Sequence, residues 1–399
     1  MRRPTVQALF AAVLLAAAVP AAPASADTQT SGYIVLLKDG VSVSSVTGLL
    51  GVTVDNVYES AVRGYSGRMT ATTAARLARD PRVALVQPDG VASIAAQTLP
   101  TGIDRIDAEQ SPTAKINGTD ERVNVDVAVI DTGVDLDHPD LNVNTAGAKN
   151  CSTGRSADDG NGHGTHVAGT IGALDNGNGV VGVAPGARIW PVRVLNNQGS
   201  GSFSAIICGI DYVTAHANEI EVANMSLGGS GSDSACGSNK DAMHEAICRS
   251  VSAGVTYVVA AGNSAANSST FVPATYAEVI TVSALADFNG QPGGGAASTC
   301  RADVDDTFAD FSNYGADVDV IAPGVCILST WKGGGYNTIS GTSMASPHVA
   351  GAAALYKATH PSASPSAVKS ALQAAGTSNW NSSTDPDGTH EPLLNVASF

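Results

Sequence analysis

The run VDVAVI at 125–130 passes directly into DTGVD at 131–135, and this junction decides the fold. A short, almost wholly apolar run is the mark of a strand buried on both faces, as in a parallel sheet. Open parallel sheets place their chemistry beyond the carboxyl ends of the strands, which is where Asp131 stands. Runs of the same kind recur downstream: RIWPVRV at 188–194, EVANM at 221–225, VTYVVA at 255–260 and EVITVS at 278–283. Helix patterns fall between them. Phe203, Ile206, Ile207, Ile210 and Val213 share one helical face, with Ser202 placed to cap it. Pro365 and Gly376 bracket another helix in the preferred order. From about Ile103 onward, strand and helix alternate. The pattern predicts a doubly wound, mostly parallel α/β domain of roughly 300 residues.

Upstream the pattern changes. YIVLLK from Tyr33 reads as a strand, ATTAARLARD from Ala71 as a helix, and VALVQPDG from Val83 as a strand closed by a turn. These predict a small α+β domain over 32–94, marginal by itself at about 60 residues. The uncharged ASIAAQTLPTG at 92–102 reads as an extended linker and a processing site. At the N-terminus, Arg2 and Arg3 precede an uncharged run from Ala8 to Val19, and Ala24-Ser25-Ala26 supplies small residues for cleavage. That predicts a signal peptide over 1–26 and a secreted, extracellular product. A membrane anchor is the alternative, but the run is short for roughly 30 Å of hydrocarbon. The expected organisation is therefore signal 1–26, small domain 32–94 and large domain 95–399.

Composition narrows the class. Of 399 residues, 43% are hydrophobic and 14% charged, enough apolar material for a large core. The formal net charge of -15 repels phosphate backbones and argues against a nucleic-acid partner. No membrane partner is expected, and the protein is expected to be a monomer. Cys151, Cys208, Cys236, Cys248, Cys300 and Cys326 form an even set, which in an exported chain reads as disulfides. Six cysteines allow 15 connectivities. Proximity in sequence favours Cys236 with Cys248 and Cys300 with Cys326, leaving Cys151 for Cys208. Metal ligation is the alternative, without CxxC or HExxH spacing to support it.

Polar residues stand at the ends of these elements. His163 opens a helix in GHGTHVAGT, and Ser343 opens another in SGTSMASPHVAGAAALY. A serine hydroxyl needs a neighbouring base to act as a nucleophile. An imidazole supplies that base, and a buried carboxylate fixes its tautomer. VVAAGNS ends a strand at Gly262 and Asn263, where an amide can donate to a developing oxyanion beside the backbone N–H of Ser343. His166 and His348 are expected to pack inside their helices. GNGVVG at 177–182 fits a dinucleotide fingerprint by accident, since no strand precedes it and Pro185 interrupts any following helix. GTSMA lacks the last glycine of a nucleophile elbow, and HGTH lacks the glutamate of a zinc peptidase helix.

DTGVD, HGTHVAGT, AAGN and GTSMASPHVAG, in the order Asp, His, Ser, resemble the subtilase superfamily of serine peptidases. The stretch FSNYGADVDVIAPGVCILSTW resembles its proteinase K branch most closely. The segment from YIVLLK to DPRVALVQPDG is similar to the family's inhibitory propeptide. The resemblance implies Asp131 as orienting carboxylate, His163 as general base and acid, Ser343 as nucleophile and Asn263 as oxyanion donor, roles established for subtilisin itself. It further implies substrate-backbone contacts at Ser226, Leu227 and Gly228, at Gly199, Ser200 and Gly201, and at Gly262. A structural calcium ion is implied on the carbonyls of Ala277 and Val279 and the side chain of Asp319, an oxygen set suited to a hard cation. The expected function is a secreted, self-processing endopeptidase acting on protein or peptide substrates, with its own propeptide as inhibitor. Uncharged residues around Thr270 and Phe271 point to broad cleavage with an apolar or aromatic preference. Two alternatives stay open: a non-catalytic binding protein on a peptidase fold, and a processing peptidase for basic sites.

Overall fold

The computed structural model describes residues 30–47, 52–89 and 97–399. The expected signal segment, and most of the expected cleavage stretch between Ile94 and Thr98, lie outside these residues. The chain divides into two compact units, Met1–Ser93 and Ile94–Phe399.

In the first unit the strands are β1 (Thr30–Leu37), β2 (Thr53–Tyr58), β3 (Gly64–Thr70) and β4 (Val83–Pro88). They form one antiparallel sheet in the order β2-β3-β1-β4. Two helices accompany it, α1 (Ser44–Thr47) and α2 (Ala71–Leu77). Thr70 caps α2, its hydroxyl accepting the N–H of Thr73 at 3.2 Å. The core is small: Val35, Leu37, Val46, Tyr65, Met69, Ala74, Leu77 and Val83. The three elements read from sequence fall on β1, α2 and β4. TVDNVY and GYSGRMT carry too few apolar residues to announce β2 and β3.

The second unit opens with a short helix, α3 (Thr101–Arg105). Its first strands are β5 (Asp126–Asp131), β6 (Lys149–Asn150), β7 (Arg188–Arg193), β8 (Val222–Met225) and β9 (Gly229–Ser230). There follow β10 (Thr256–Ala260), β11 (Phe271–Val272), β12 (Ile280–Ala286), β13 (Thr307–Phe308) and β14 (Val320–Pro323). A hairpin, β15 (Ile327–Trp331) with β16 (Gly335–Ile339), precedes the last long helices. The main sheet runs β13-β12-β10-β8-β5-β7-β6, with β14 also on β12. All its pairings are parallel except β12 with β13.

Helices cover both faces: α4 (His163–Gly172), α5 (Phe203–Ala215), α6 (Ala242–Ser252), α7 (Thr342–Thr359) and α8 (Pro365–Ala375). The strands feed two cores by alternation. Val127 and Val129 of β5 point into the cluster containing Val167, Ile171 and Met344, while Ala128 and Ile130 point into that containing Ile206, Ile210 and Ile247. This is why both faces of these strands read as apolar. Ser202 caps α5 as expected, accepting the N–H of Ala205 at 3.2 Å. Disulfides join Cys151 to Cys208, Cys236 to Cys248 and Cys300 to Cys326. Among the described residues, no helix is long and apolar enough to cross a membrane.

Candidate active site

Asp131 is the last residue of β5 and is fully buried. Its Oδ1 accepts the N–H of Thr132 at 2.7 Å and meets His163 Nδ1 at 2.8 Å. His163 is the first residue of α4, so the placement of that helix sets the pair. Gly164 makes the approach possible, because a Cβ there would lie 2.0 Å from the carbonyl oxygen of Gly133. Asp159 fixes the first turn. Its Oδ1 accepts the N–H groups of Asn161 and Gly162 and the Thr132 hydroxyl, each at 2.9 Å. Its Oδ2 takes the N–H and hydroxyl of Thr165. A buried carboxylate with this many donors is rigid. Burial disfavours a charged His163, but the charge of Asp131, its hydrogen bond and the more distant Asp159 outweigh this. The imidazole is held above its ordinary pKa.

Ser343 is the second residue of α7, so its N–H is among the donors that a first helical turn leaves unbonded. It forms a reciprocal pair with Ser226, just beyond β8. Ser343 Oγ donates to the Ser226 carbonyl at 3.2 Å, and Ser226 Oγ donates to the Ser343 carbonyl at 2.8 Å. Asn224 donates to Ser226 Oγ at 2.9 Å and accepts from Ser346 Oγ at 2.7 Å, closing a buried network between β8 and α7. Asn263, exposed after β10, is held by its amide oxygen, which accepts both the N–H and the hydroxyl of Thr342. Among the described residues its Nδ2 has no protein acceptor and is free to donate elsewhere.

His163, Ser343, Ser226, Leu227, Gly228, Gly199 and Gly201 line one cleft of about 320 Å³. Leu195, Phe203 and Ile206 give it an apolar wall, and among the described residues no carboxylate lines it. Asn263, Ser200 and Gly262 lie outside this lining, and Gly262 N–H donates to Thr342 Oγ1 at 3.1 Å. The two other histidines pack as expected. His166 Nε2 bonds to the Ile327 carbonyl and His348 Nδ1 to that of Met344, and burial first of all lowers the pKa of both. Asp159, Thr132, Thr342 and Asn224 were not singled out from the sequence. The position of Asp159, four residues before His163, was the one available signal.

The expected calcium set needs correction. Lys369 of α8 directs its ammonium at all three ligands: 2.8 Å from Asp319 Oδ1, 2.9 Å from the Val279 carbonyl and 3.3 Å from that of Ala277. A cation is already there as a side chain, so Ala277, Val279 and Asp319 do not fit a metal ion. Asp319 Oδ2 is also engaged, by the N–H of Thr281 at 2.9 Å.

The parallel sheet, the His–Asp pair at the carboxyl end of a central strand and the serine at a helix start define a serine peptidase of the subtilisin type. Residues 123–388 match the subtilase family and residues 21–95 the peptidase inhibitor I9 family. The chain belongs to the subtilase family, and it is a serine endopeptidase made as a precursor with its inhibitory propeptide. It is 41% identical to subtilisin NAT of Bacillus subtilis subsp. natto over 309 residues, 77% of this chain and 73% of that one. It is 42% identical over 338 residues to an extracellular serine proteinase of a Thermus species, covering 83% and 75% of the two chains. A solved cold-adapted subtilisin-like serine proteinase matches with a TM-score of 0.55 at 35% identity, over 75% of this chain and 98% of that one.

Proposed function

We propose that the chain hydrolyses peptide bonds through an acyl-enzyme on Ser343, with His163 as general base and acid and Asp131 as its orienting carboxylate. With substrate bound, Ser343 Oγ turns from the Ser226 carbonyl to His163 Nε2 and attacks the scissile carbonyl. The proton passes to His163, whose imidazolium is stabilised by Asp131. The oxyanion takes hydrogen bonds from the Ser343 N–H and Asn263 Nδ2. His163 then protonates the leaving amine, and a water activated by the same imidazole frees the acyl group. The observation that carries this reading is the 2.8 Å His163–Asp131 contact in a cleft that also holds Ser343. A fluorophosphonate probe tests it: the mature protein is labelled on Ser343, and Ser343→Ala is not. Labelling that persists in the variant rejects the assignment.

The substrate backbone runs between Ser226–Gly228 and Gly199–Gly201 as an added strand, with Gly262 beside Asn263. The wall of Leu195, Phe203, Ile206 and Leu227 supports a broad preference for apolar or aromatic side chains. The chain is organised as a signal over 1–26, an inhibitory unit over 32–94 and a peptidase over 95–399. The product is secreted to the extracellular space as a monomer and released by self-cleavage between Ile94 and Thr98. Three disulfides support an oxidising destination.

A further inference from the structure

Between α8 and the C-terminal segment lies a loop closed on itself. Thr377 and Leu393 exchange two backbone hydrogen bonds of 2.8 Å. Trp380 within it packs with Leu285, Phe308, Ile321 and Leu393, and donates its indole N–H to the Glu391 carbonyl at 3.3 Å. The loop carries DPDGTHE at 385–391. Two of its carboxylates are buried, Asp385 at 8% exposure and Glu391 at 3%. Asp385 Oδ2 and both Glu391 oxygens are buried without any donor. The Asp385 carboxyl stands within hydrogen-bonding reach of both Glu391 and Asp387.

This arrangement is unlike that of Asp306, Asp159 or Asp319. Asp306 has Arg105 and two backbone N–H groups, Asp159 has five donors and Asp319 has Lys369. Among the described residues, no lysine or arginine pairs with Asp385, Asp387 or Glu391. Unpaired carboxylates away from water are costly, and a proton or a cation must relieve them. One shared proton makes one O–H···O bond and so engages two of the three orphaned oxygens, leaving the third unmet. A cation can touch all three.

The backbone is already arranged for this. Asp385 Oδ1 accepts the Asp387 N–H at 3.2 Å and Asp387 Oδ1 accepts that of Thr389 at 2.7 Å, while Gly388 turns the chain at φ +77°. The remaining oxygens are left to a ligand. An all-oxygen, carboxylate-rich set suits calcium and lacks the nitrogen and sulfur that zinc favours.

We propose that Asp385 and Glu391 bind a divalent cation of the calcium class that fastens the loop 377–393. This site shares no residue with the set filled by Lys369, and it stands independently of the catalytic assignment.

The test uses the full chain carrying Ser343→Ala, to prevent self-digestion, after removal of metal. Thermal unfolding is followed as calcium chloride is titrated, with calorimetry to count ions. We expect a saturable rise in Tm. Glu391→Gln should lower calcium affinity at this site at least tenfold. Asp385→Asn should weaken the response likewise. Wild-type calcium titration curves in both variants would place any ion elsewhere and overturn the proposal. So would a shared proton, seen as no calcium response together with a Glu391→Gln variant as stable as the parent.

Discussion

Thr342 holds Asn263 through both of its donors: its backbone N–H lies 2.8 Å and its hydroxyl 2.9 Å from the amide oxygen. The amide is thus fixed with its NH₂ free. Removing that donor by Asn263→Ala should lower kcat about 10²–10³-fold with KM little changed, the loss seen for the corresponding donor in subtilisin. Thr342→Val keeps the N–H bond and loses the hydroxyl bond, so it should reduce kcat by roughly tenfold, one hydrogen bond's worth of orientation. Steady-state kinetics on a peptide anilide decide it. A Thr342→Val enzyme with unchanged kcat would show that the hydroxyl does not position the amide.

Ser343→Ala should lower kcat by about 10⁶, because the members of a triad act as a unit. Expressed alone in a host without a related peptidase, it should accumulate with the inhibitory unit attached. Mass spectrometry of the product distinguishes this from cleavage by another enzyme, which would leave the variant beginning near Thr98.

The lower limb of the pH profile should lie above the ordinary imidazole value of about 6.5, because Asp131 raises the pKa of His163. Activity needs the neutral ring, so kcat/KM rises with pH through that raised value. Stability runs the other way. A group whose pKa is raised on folding contributes fully below its unfolded pKa, and the contribution is lost as pH rises through the folded one. Asp131→Asn should move the limb to lower pH while cutting kcat by about 10⁴. A limb that stays in place would break the assigned coupling.

Lys369→Ser leaves Asp319 and two carbonyls without their cation. Unfolding should become easier by about 2–3 kcal/mol, below the range for a fully buried pair because Lys369 keeps some solvent contact. The smaller side chain also opens room for an ion, so calcium should restore part of the loss and Asp319→Asn should remove that rescue. Chemical denaturation with and without calcium tests both arms. A variant as stable as the parent in chelator would show that the ammonium contributes nothing.

Cleavage of a peptide library should favour apolar or aromatic residues before the scissile bond, since among the described residues no carboxylate lines the cleft to pair a basic side chain. A profile led by Arg or Lys would instead support a processing peptidase for basic sites.

The sequence made the scaffold legible wherever a signal was local. Strand runs buried on both faces, a capping serine before α5 and short motifs at strand ends each carry their meaning within a few residues. What stayed hidden depends on residues distant in the chain meeting in space. Lys369 lies on α8 with no local signal of its role, yet it pairs with Asp319, 50 positions earlier. Thr342 stands inside a recognised motif, but its role depends on Asn263. The strand β3 escaped because its burial comes from packing against β1 and α2, and β2 because it is a mostly exposed edge strand whose own pattern is weak.

The reciprocal bonds between Ser226 and Ser343 bear on how this enzyme can diversify. The residue proposed to face the substrate backbone also anchors the carbonyl of the nucleophile, and its own hydroxyl is tied through Asn224 to Ser346. A substitution at Ser226 therefore alters reactivity together with selectivity. Leu227, Phe203 and Ile206 line the same cleft without being members of that chain of bonds. Lineages that acquire new substrates should vary at these three positions and hold Ser226 constant, and a selection for altered preference should recover the same division.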